Sequence, residues 1–173
     1  MIKNYEELKL IKRDASGLTI VFGCFDILHY GHLNFIKKVS ELAQSPIAIG
    51  VLPDSYVRAT KGEDRPINGE LDRLYAIDAA CPMHYSFIVN ERGDYNFYQK
   101  KLSLTNAPSV LWEYPIHALY QIAPTEFYYS TDFPITDTIK AVFAELNLKH
   151  QAVQYTEGIS STSLIEALKK QSD

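Results

Sequence analysis

Short apolar runs alternate along this chain with amphipathic segments. Leu18-Thr19-Ile20-Val21-Phe22 has the pattern of a buried strand that stops at Gly23. From Leu33 the apolar positions Leu33, Ile36, Val39 and Ala43 recur at helical spacing, and Ser45-Pro46 breaks the pattern. Residues 47–52 read as a second buried strand. Asn68 stands where it can cap a helix running through Leu71, Leu74, Tyr75 and Ile77 to about Ala80. Residues 85–89 and 126–129 predict a third and a fourth strand. Pro134 opens a further helix carried by Ile139, Val142, Phe143 and Leu146, and Asp132 reads as its cap in preference to a ligand contact. A short strand over residues 152–155 leads into a last helix beginning near Ser161 to Ser163. Strands separated by helices predict parallel pairing with right-handed crossovers, hence an α/β fold with a doubly wound, mostly parallel sheet. Ligands of such sheets sit beyond the carboxyl ends of the strands, which directs attention to the turn after the first strand.

Composition narrows the classes of partner. The 173 residues are expected to form one domain, with 46 % apolar and 22 % charged residues, near the globular average. The net charge of −4, without any block of Lys and Arg, speaks against a long nucleic-acid surface. The apolar runs are too short to span a membrane, and the charged start MIKNYEELKLIKRD does not read as a secretory signal. Cys24 and Cys81 have no metal-ligand spacing and suit a reducing cytoplasm, so a cytoplasmic location is expected.

The turn after the first strand reads Gly23-Cys24-Phe25-Asp26-Ile27-Leu28-His29-Tyr30-Gly31-His32. Gly23 permits a sharp turn and close approach to a ligand. His29 and His32 stand where a helix begins, and a helix N-terminus offers free N–H groups and partial positive charge to a phosphate. Two imidazoles there add donors, and Gly31 between them is read as leaving room for the anion. Two further segments stand out. Lys61-Gly62-Glu63-Asp64-Arg65-Pro66-Ile67-Asn68, followed by Arg73, reads by itself as a solvated loop. Thr156-Glu157-Gly158-Ile159-Ser160-Ser161-Thr162-Ser163 is a glycine turn entering a hydroxyl-rich helix start, and Ser163 with Glu166 has capping-box spacing.

GCFDILHYGH resembles the HxGH signature of the cytidylyltransferase-like nucleotidyltransferases, among them glycerol-3-phosphate and ethanolamine-phosphate cytidylyltransferases and heptose-1-phosphate adenylyltransferases. The resemblance implies a Rossmann-like fold and direct, in-line attack of an acceptor phosphate on the α-phosphorus of an NTP, with pyrophosphate released. It implies catalytic roles for His29, His32, Lys61 and Arg73, the last two matching a mobile-loop lysine and a following helical arginine. It further implies nucleotide contacts from Gly23, Cys24, Phe25, Asp26 and Gly31. Gly158, Ile159, Ser160, Ser161 and Thr162, in a stretch similar to TEGIST, become a cradle for the β- and γ-phosphates. Asp26 is read as orienting a histidine, touching a metal site, or capping. Mg²⁺ is expected on the NTP, held mainly by phosphate and water, and a homodimer is expected from the family.

The sequence also departs from the family pattern. Tyr155 stands where cytidylyltransferases usually carry an arginine before TEGIST, and KGEDRPIN looks more like the heptose-1-phosphate adenylyltransferases. The main reading is CTP with a small phosphorylated polyol or sugar such as glycerol 3-phosphate. The alternatives are an ATP-dependent heptose-1-phosphate-type adenylyltransferase and, in another class, a non-catalytic nucleotide-binding protein. Residues 95–129 hold nine of the 21 aromatic residues, which suits core or an interface better than an acceptor pocket. His84, His117 and His150 are scattered and read as structural or exposed.

Overall fold

The computed structural model describes residues 1–89 and 113–171. Among these, β1 (Thr19–Gly23), β2 (Ile47–Val51), β3 (Tyr85–Ile88), β4 (Glu126–Ser130) and β5 (Lys149–Val153) form one sheet in the order β3-β2-β1-β4-β5. Every pairing is parallel, as the alternation of strands and helices predicts. The helices are α1 (Tyr5–Asp14), α2 (Tyr30–Leu42), α3 (Asp54–Lys61), α4 (Glu70–Ala80), α5 (Glu113–Ile122), α6 (Asp137–Glu145) and α7 (Ser161–Lys170). β1 lies between β2 and β4, so the strand order reverses beside its carboxyl end.

Both sheet faces are covered, and the period of two along each strand divides the core accordingly. Ile20, Ala48, Phe87 and Phe127 join Leu8, Ile139 and Phe143 on one face. Val21, Ile49, Tyr128 and Val153 join Ile36, Val39 and Ile77 on the other. Of the aromatic-rich stretch, residues 95–112 lie outside the described residues. Phe127 and Tyr128 are buried, and Tyr129 packs among Phe127, Phe133, Phe143 and His150, so this part is core.

Several boundaries differ from the sequence expectation. Helix α1 was not expected, yet Asn4 and Glu7 form a reciprocal capping box and Tyr5 and Leu8 are buried. Helix α3 was also missed; it buries Tyr56 and Val57 and ends at Lys61, which therefore closes a helix rather than lying within a loop. Gly69, not Asn68, caps α4. Helix α6 starts at Asp137 with the Thr136 hydroxyl accepting from Ile139 N–H, so neither Asp132 nor Pro134 starts it. Ser160 pairs with Ser163 to cap α7, in place of the Ser163–Glu166 box. Strand β5 begins at Lys149, three residues before the expected start at 152. Among the described residues no helix is long and apolar enough to cross a membrane.

Candidate active site

The turn between β1 and α2 is tightly wound. Phe25 and Ile27 have φ of 53° and 50°, a left-handed conformation that side chains rarely adopt. Strain of this kind persists only where the surroundings hold it and is concentrated at functional sites. Gly23 is required here for a packing reason, since a Cβ on it would stand 2.6 Å from the buried Phe25 ring.

This turn delivers His29 to the N-cap of α2, with His32 one turn further on. The two rings stack with centroids 3.8 Å apart and planes 25° from parallel, and Phe25 meets His32 edge-on. Gly31 N–H donates to His29 Nδ1 at 3.1 Å, and His29 N–H donates to His32 Nδ1 at 3.4 Å. Both Nδ1 atoms are therefore acceptors, and each neutral ring carries its proton on Nε2. Among the described residues neither Nε2 has a protein partner. Burial pulls His29 below its ordinary pKa. His32 is pulled down to about 3 by burial, by repulsion from His29 and by the Lys61 charge. Both rings are neutral donors at neutral pH. A Cβ on Gly31 would stand 2.9 Å from His29 Cε1 and 3.3 Å from Ile159 Cγ2, so the missing side chain makes room for these two residues.

The Asp26 carboxylate is bonded to the segment after Lys61 and not to either histidine. Asp26 is 1 % exposed; its carboxylate accepts from the Ile67 and Asn68 N–H groups at 3.0 Å and from Arg65 Nε at 2.8 Å, with Arg65 Nη2 at 2.7 Å. Burial alone would raise its pKa, but the Asn68 and Ile67 amides and the Arg65 guanidinium outweigh that and hold it below the usual carboxylate range. Asp26 thus anchors the segment after Lys61 to the histidine loop. Arg65 is its ion-pair partner.

Arg73 is likewise displaced from its expected role. It is 1 % exposed, and its guanidinium donates to the carbonyls of Asn68, Cys24 and Leu52 and to Asp54 Oδ1, the last at 2.7 Å. With these acceptors it is a buried tie between the β1 and β2 loops, not a fork presented to phosphate. Lys61 remains exposed at the end of α3, close enough for its charge to act on His32 and Cys24. Cys24 contributes its carbonyl to Arg73, and burial pushes its thiol pKa up.

The C-terminal motif reaches the same place. Asn34 on α2 donates to Thr156 Oγ1 at 2.9 Å, and the Ser161 hydroxyl donates to the Asp26 carbonyl. Ser160 caps α7, so the Ser161 and Thr162 backbone N–H groups at its first turn have no intrahelical acceptor. Gly158 takes φ 82° in the preceding turn. The structure therefore brings His29, His32, Lys61, the 158–162 turn and the N-termini of α2 and α7 to the carboxyl end of β1. It withdraws Asp26 and Arg73 into support. The only signal of that support in the sequence is the polarity of Asp26 and Arg65 near apolar neighbours.

The family model for cytidylyltransferase-like domains matches residues 20–167. The chain belongs to the cytidylyltransferase-like family. This cytidylyltransferase-like chain is 43 % identical over 98 residues to the bifunctional protein HldE of a Nitratiruptor species, a match covering 54 % of the chain and 21 % of that protein. It is 27 % identical over 169 residues to HldE of Campylobacter jejuni subsp. doylei, covering 97 % of the chain and 31 % of that protein. The chain thus spans under a third of the length of these two curated relatives. Among solved structures, pantothenate synthetase from Thermus thermophilus shares the fold with a TM-score of 0.65 at 14 % identity, over 98 % of this chain and 70 % of that one. The lipopolysaccharide core biosynthesis protein from Thermoplasma volcanium gives 0.54 at 18 % identity, over 82 % and 98 %. The expected resemblance to the cytidylyltransferase-like nucleotidyltransferases is borne out, and the domain is of the nucleotidyltransferase type.

Proposed function

We infer that this chain transfers AMP from ATP to a sugar 1-phosphate and releases pyrophosphate. The observation that carries the chemistry is the stacked His29–His32 pair, two neutral rings with their Nε2–H donors unoccupied at a helix N-terminus. The choice of ATP over CTP is supported by the HldE relatives, which join a heptose-7-phosphate kinase to a heptose-1-phosphate adenylyltransferase. The adenylyltransferase-like KGEDRPIN segment, tied by Asp26 to the histidine loop, supports it as well. The CTP and glycerol 3-phosphate reading draws less support.

An oxygen of the acceptor phosphate attacks the α-phosphorus, and the bond from that phosphorus to the β-bridging oxygen breaks, with its electron pair leaving on pyrophosphate. No proton has to be taken from the ionised acceptor, so no general base is needed. His29 and His32 donate from Nε2 to α-phosphate oxygens, where negative charge concentrates as the bonds exchange. Being neutral, they give these bonds without a counter-ion to release. Lys61 brings a mobile positive charge to the same oxygens. The backbone N–H groups of Ser161 and Thr162 receive the departing pyrophosphate at the N-terminus of α7.

The side chains of the described residues do not form a cage for Mg²⁺. Both Asp26 oxygens are engaged, and among the described residues there is no cluster of three metal-ligating side chains. Mg²⁺ arrives as part of the ATP substrate, and no step above is routed through it.

The test is a panel of hexose and heptose 1-phosphates and of polyol phosphates, each with ATP or CTP and Mg²⁺, read by pyrophosphate release. Turnover confined to ATP and a sugar 1-phosphate supports the reading. Turnover with CTP and glycerol 3-phosphate alone replaces it, and nucleotide binding with no turnover across the panel leaves a non-catalytic binding protein.

A further inference from the structure

Tyr155 lies between the end of β5 and the turn that enters α7. Its N–H donates to Thr131 Oγ1 at 3.0 Å, and its phenol hydroxyl donates to the Ile159 carbonyl at 3.1 Å. The side chain thereby closes a short loop over residues 155–159, across the permissive Gly158. Ile159 is the last residue before the α7 cap, and its Cγ2 lies 3.3 Å from the point where a Gly31 Cβ would stand. The phenol therefore fixes the residue that packs the turn before α7 against the start of α2. The other ties of this segment, Asn34 to Thr156 and Ser161 to the Asp26 carbonyl, lie on either side and leave the Ile159 carbonyl to Tyr155.

The Tyr155 hydroxyl proton is directed at protein. The side chain can act on a phosphate only through the backbone that it holds. We propose that Tyr155 is a positioning residue: through the Ile159 carbonyl it holds the N-terminus of α7 beside Gly31, so that the α7 N–H groups grip the diphosphate next to the phosphate held at the start of α2. This rests on the functional reading above and adds a residue to it. Without the hydroxyl the ring still packs, but the glycine turn can relax and the α7 N–H groups lose their aim.

The experiment uses Tyr155→Phe and, loosening the same loop from its other end, Thr131→Val. Calorimetry measures binding of inorganic pyrophosphate, ATP and AMP to each. Losing one such hydrogen bond is expected to raise the Kd for pyrophosphate and for ATP about fivefold in each variant, and to leave AMP unchanged. A merely structural role would lower the melting temperature without changing the ratio of pyrophosphate to AMP affinity. Unchanged pyrophosphate binding, equal weakening of AMP, or a wild-type chain that does not bind pyrophosphate overturns the proposal. The two readings fail separately. A wild type without ATP turnover, but with pyrophosphate binding that Tyr155→Phe weakens, removes the adenylyltransferase reading and keeps this one.

Discussion

The imidazoles of His29 and His32 stack 3.8 Å apart, and each turns its Nδ1 toward a backbone N–H of the same helix start. The cap of α2 and the pair proposed to stabilise charge are therefore one structure. Two protonated rings at that distance would repel, and burial already disfavours charge on both. The helix start fixes the tautomer, and the tautomer puts the ring proton on Nε2, which has no partner among the described residues.

If His32 donates to the transition state, His32→Ala lowers kcat by about 10²–10³, the size of an oxyanion-hole deletion. ATP affinity moves far less, because the bond strengthens only as the reaction proceeds. Steady-state kinetics and calorimetry on one preparation separate the two. Equal losses in kcat and affinity would assign His32 to ground-state binding instead.

Gly31→Ala tests the geometry without touching a donor. Inside a helix this change ordinarily gains about 0.5–1 kcal/mol. Here the new Cβ would stand 2.9 Å from the His29 ring. The expected outcome is a melting temperature that changes little, with turnover reduced at least tenfold as His29 is pushed aside. Wild-type turnover would show that the position of His29 is not critical.

Stability should carry the signature of the neutral pair. The folded-state pKa of His32 is about 3, below its ordinary 6.5, so between these values the unfolded chain binds the proton more readily. The corresponding stability is fully present above pH 6.5 and is lost as pH falls toward 3. His29 and His84 are shifted in the same direction and add to the slope. Asp26 contributes separately: its depressed pKa gives stability that is present above 3.8 and lost below it. Urea midpoints should fall from about pH 6.5 to about pH 4, and His32→Asn should flatten that decline. An unchanged slope in the variant would place the linkage elsewhere.

Arg73→Met separates a supporting arginine from a phosphate ligand. Removing the buried guanidinium strands the Cys24 and Leu52 carbonyls and leaves Asp54 without its partner. A loss of about 3 kcal/mol on chemical denaturation is expected, at the low end for a broken buried pair because Asp54 is partly exposed. Near-normal stability with abolished turnover would return Arg73 to the phosphates.

The strands and the histidine loop were legible because their causes are local. Ile20, Val21 and Phe22 announce a buried strand, and a glycine followed by paired histidines announces the turn after it. The roles of Asp26 and Arg73 were not legible, because their partners lie 41 and 49 residues away, at Ile67 and Cys24. A charged side chain that turns inward to bind carbonyls looks, in sequence, like one that turns outward to bind a phosphate. Helix α1 was overlooked although Asn4 and Glu7 have capping-box spacing, since its apolar face is narrow and only Tyr5 and Leu8 are buried. Tyr155 read as the loss of an arginine, because its acceptor is a backbone carbonyl that carries no sequence signal.

The most direct test of the central claim is one competition reaction. The chain is incubated with equimolar ATP and CTP, Mg²⁺ and a heptose 1-phosphate, and the nucleotide sugars formed are identified by mass spectrometry. The account predicts an ADP-sugar formed in step with pyrophosphate, with little CDP-sugar, and loss of both products in His32→Ala. A CDP-sugar as the main product, or undiminished ADP-sugar formation by His32→Ala, would contradict it.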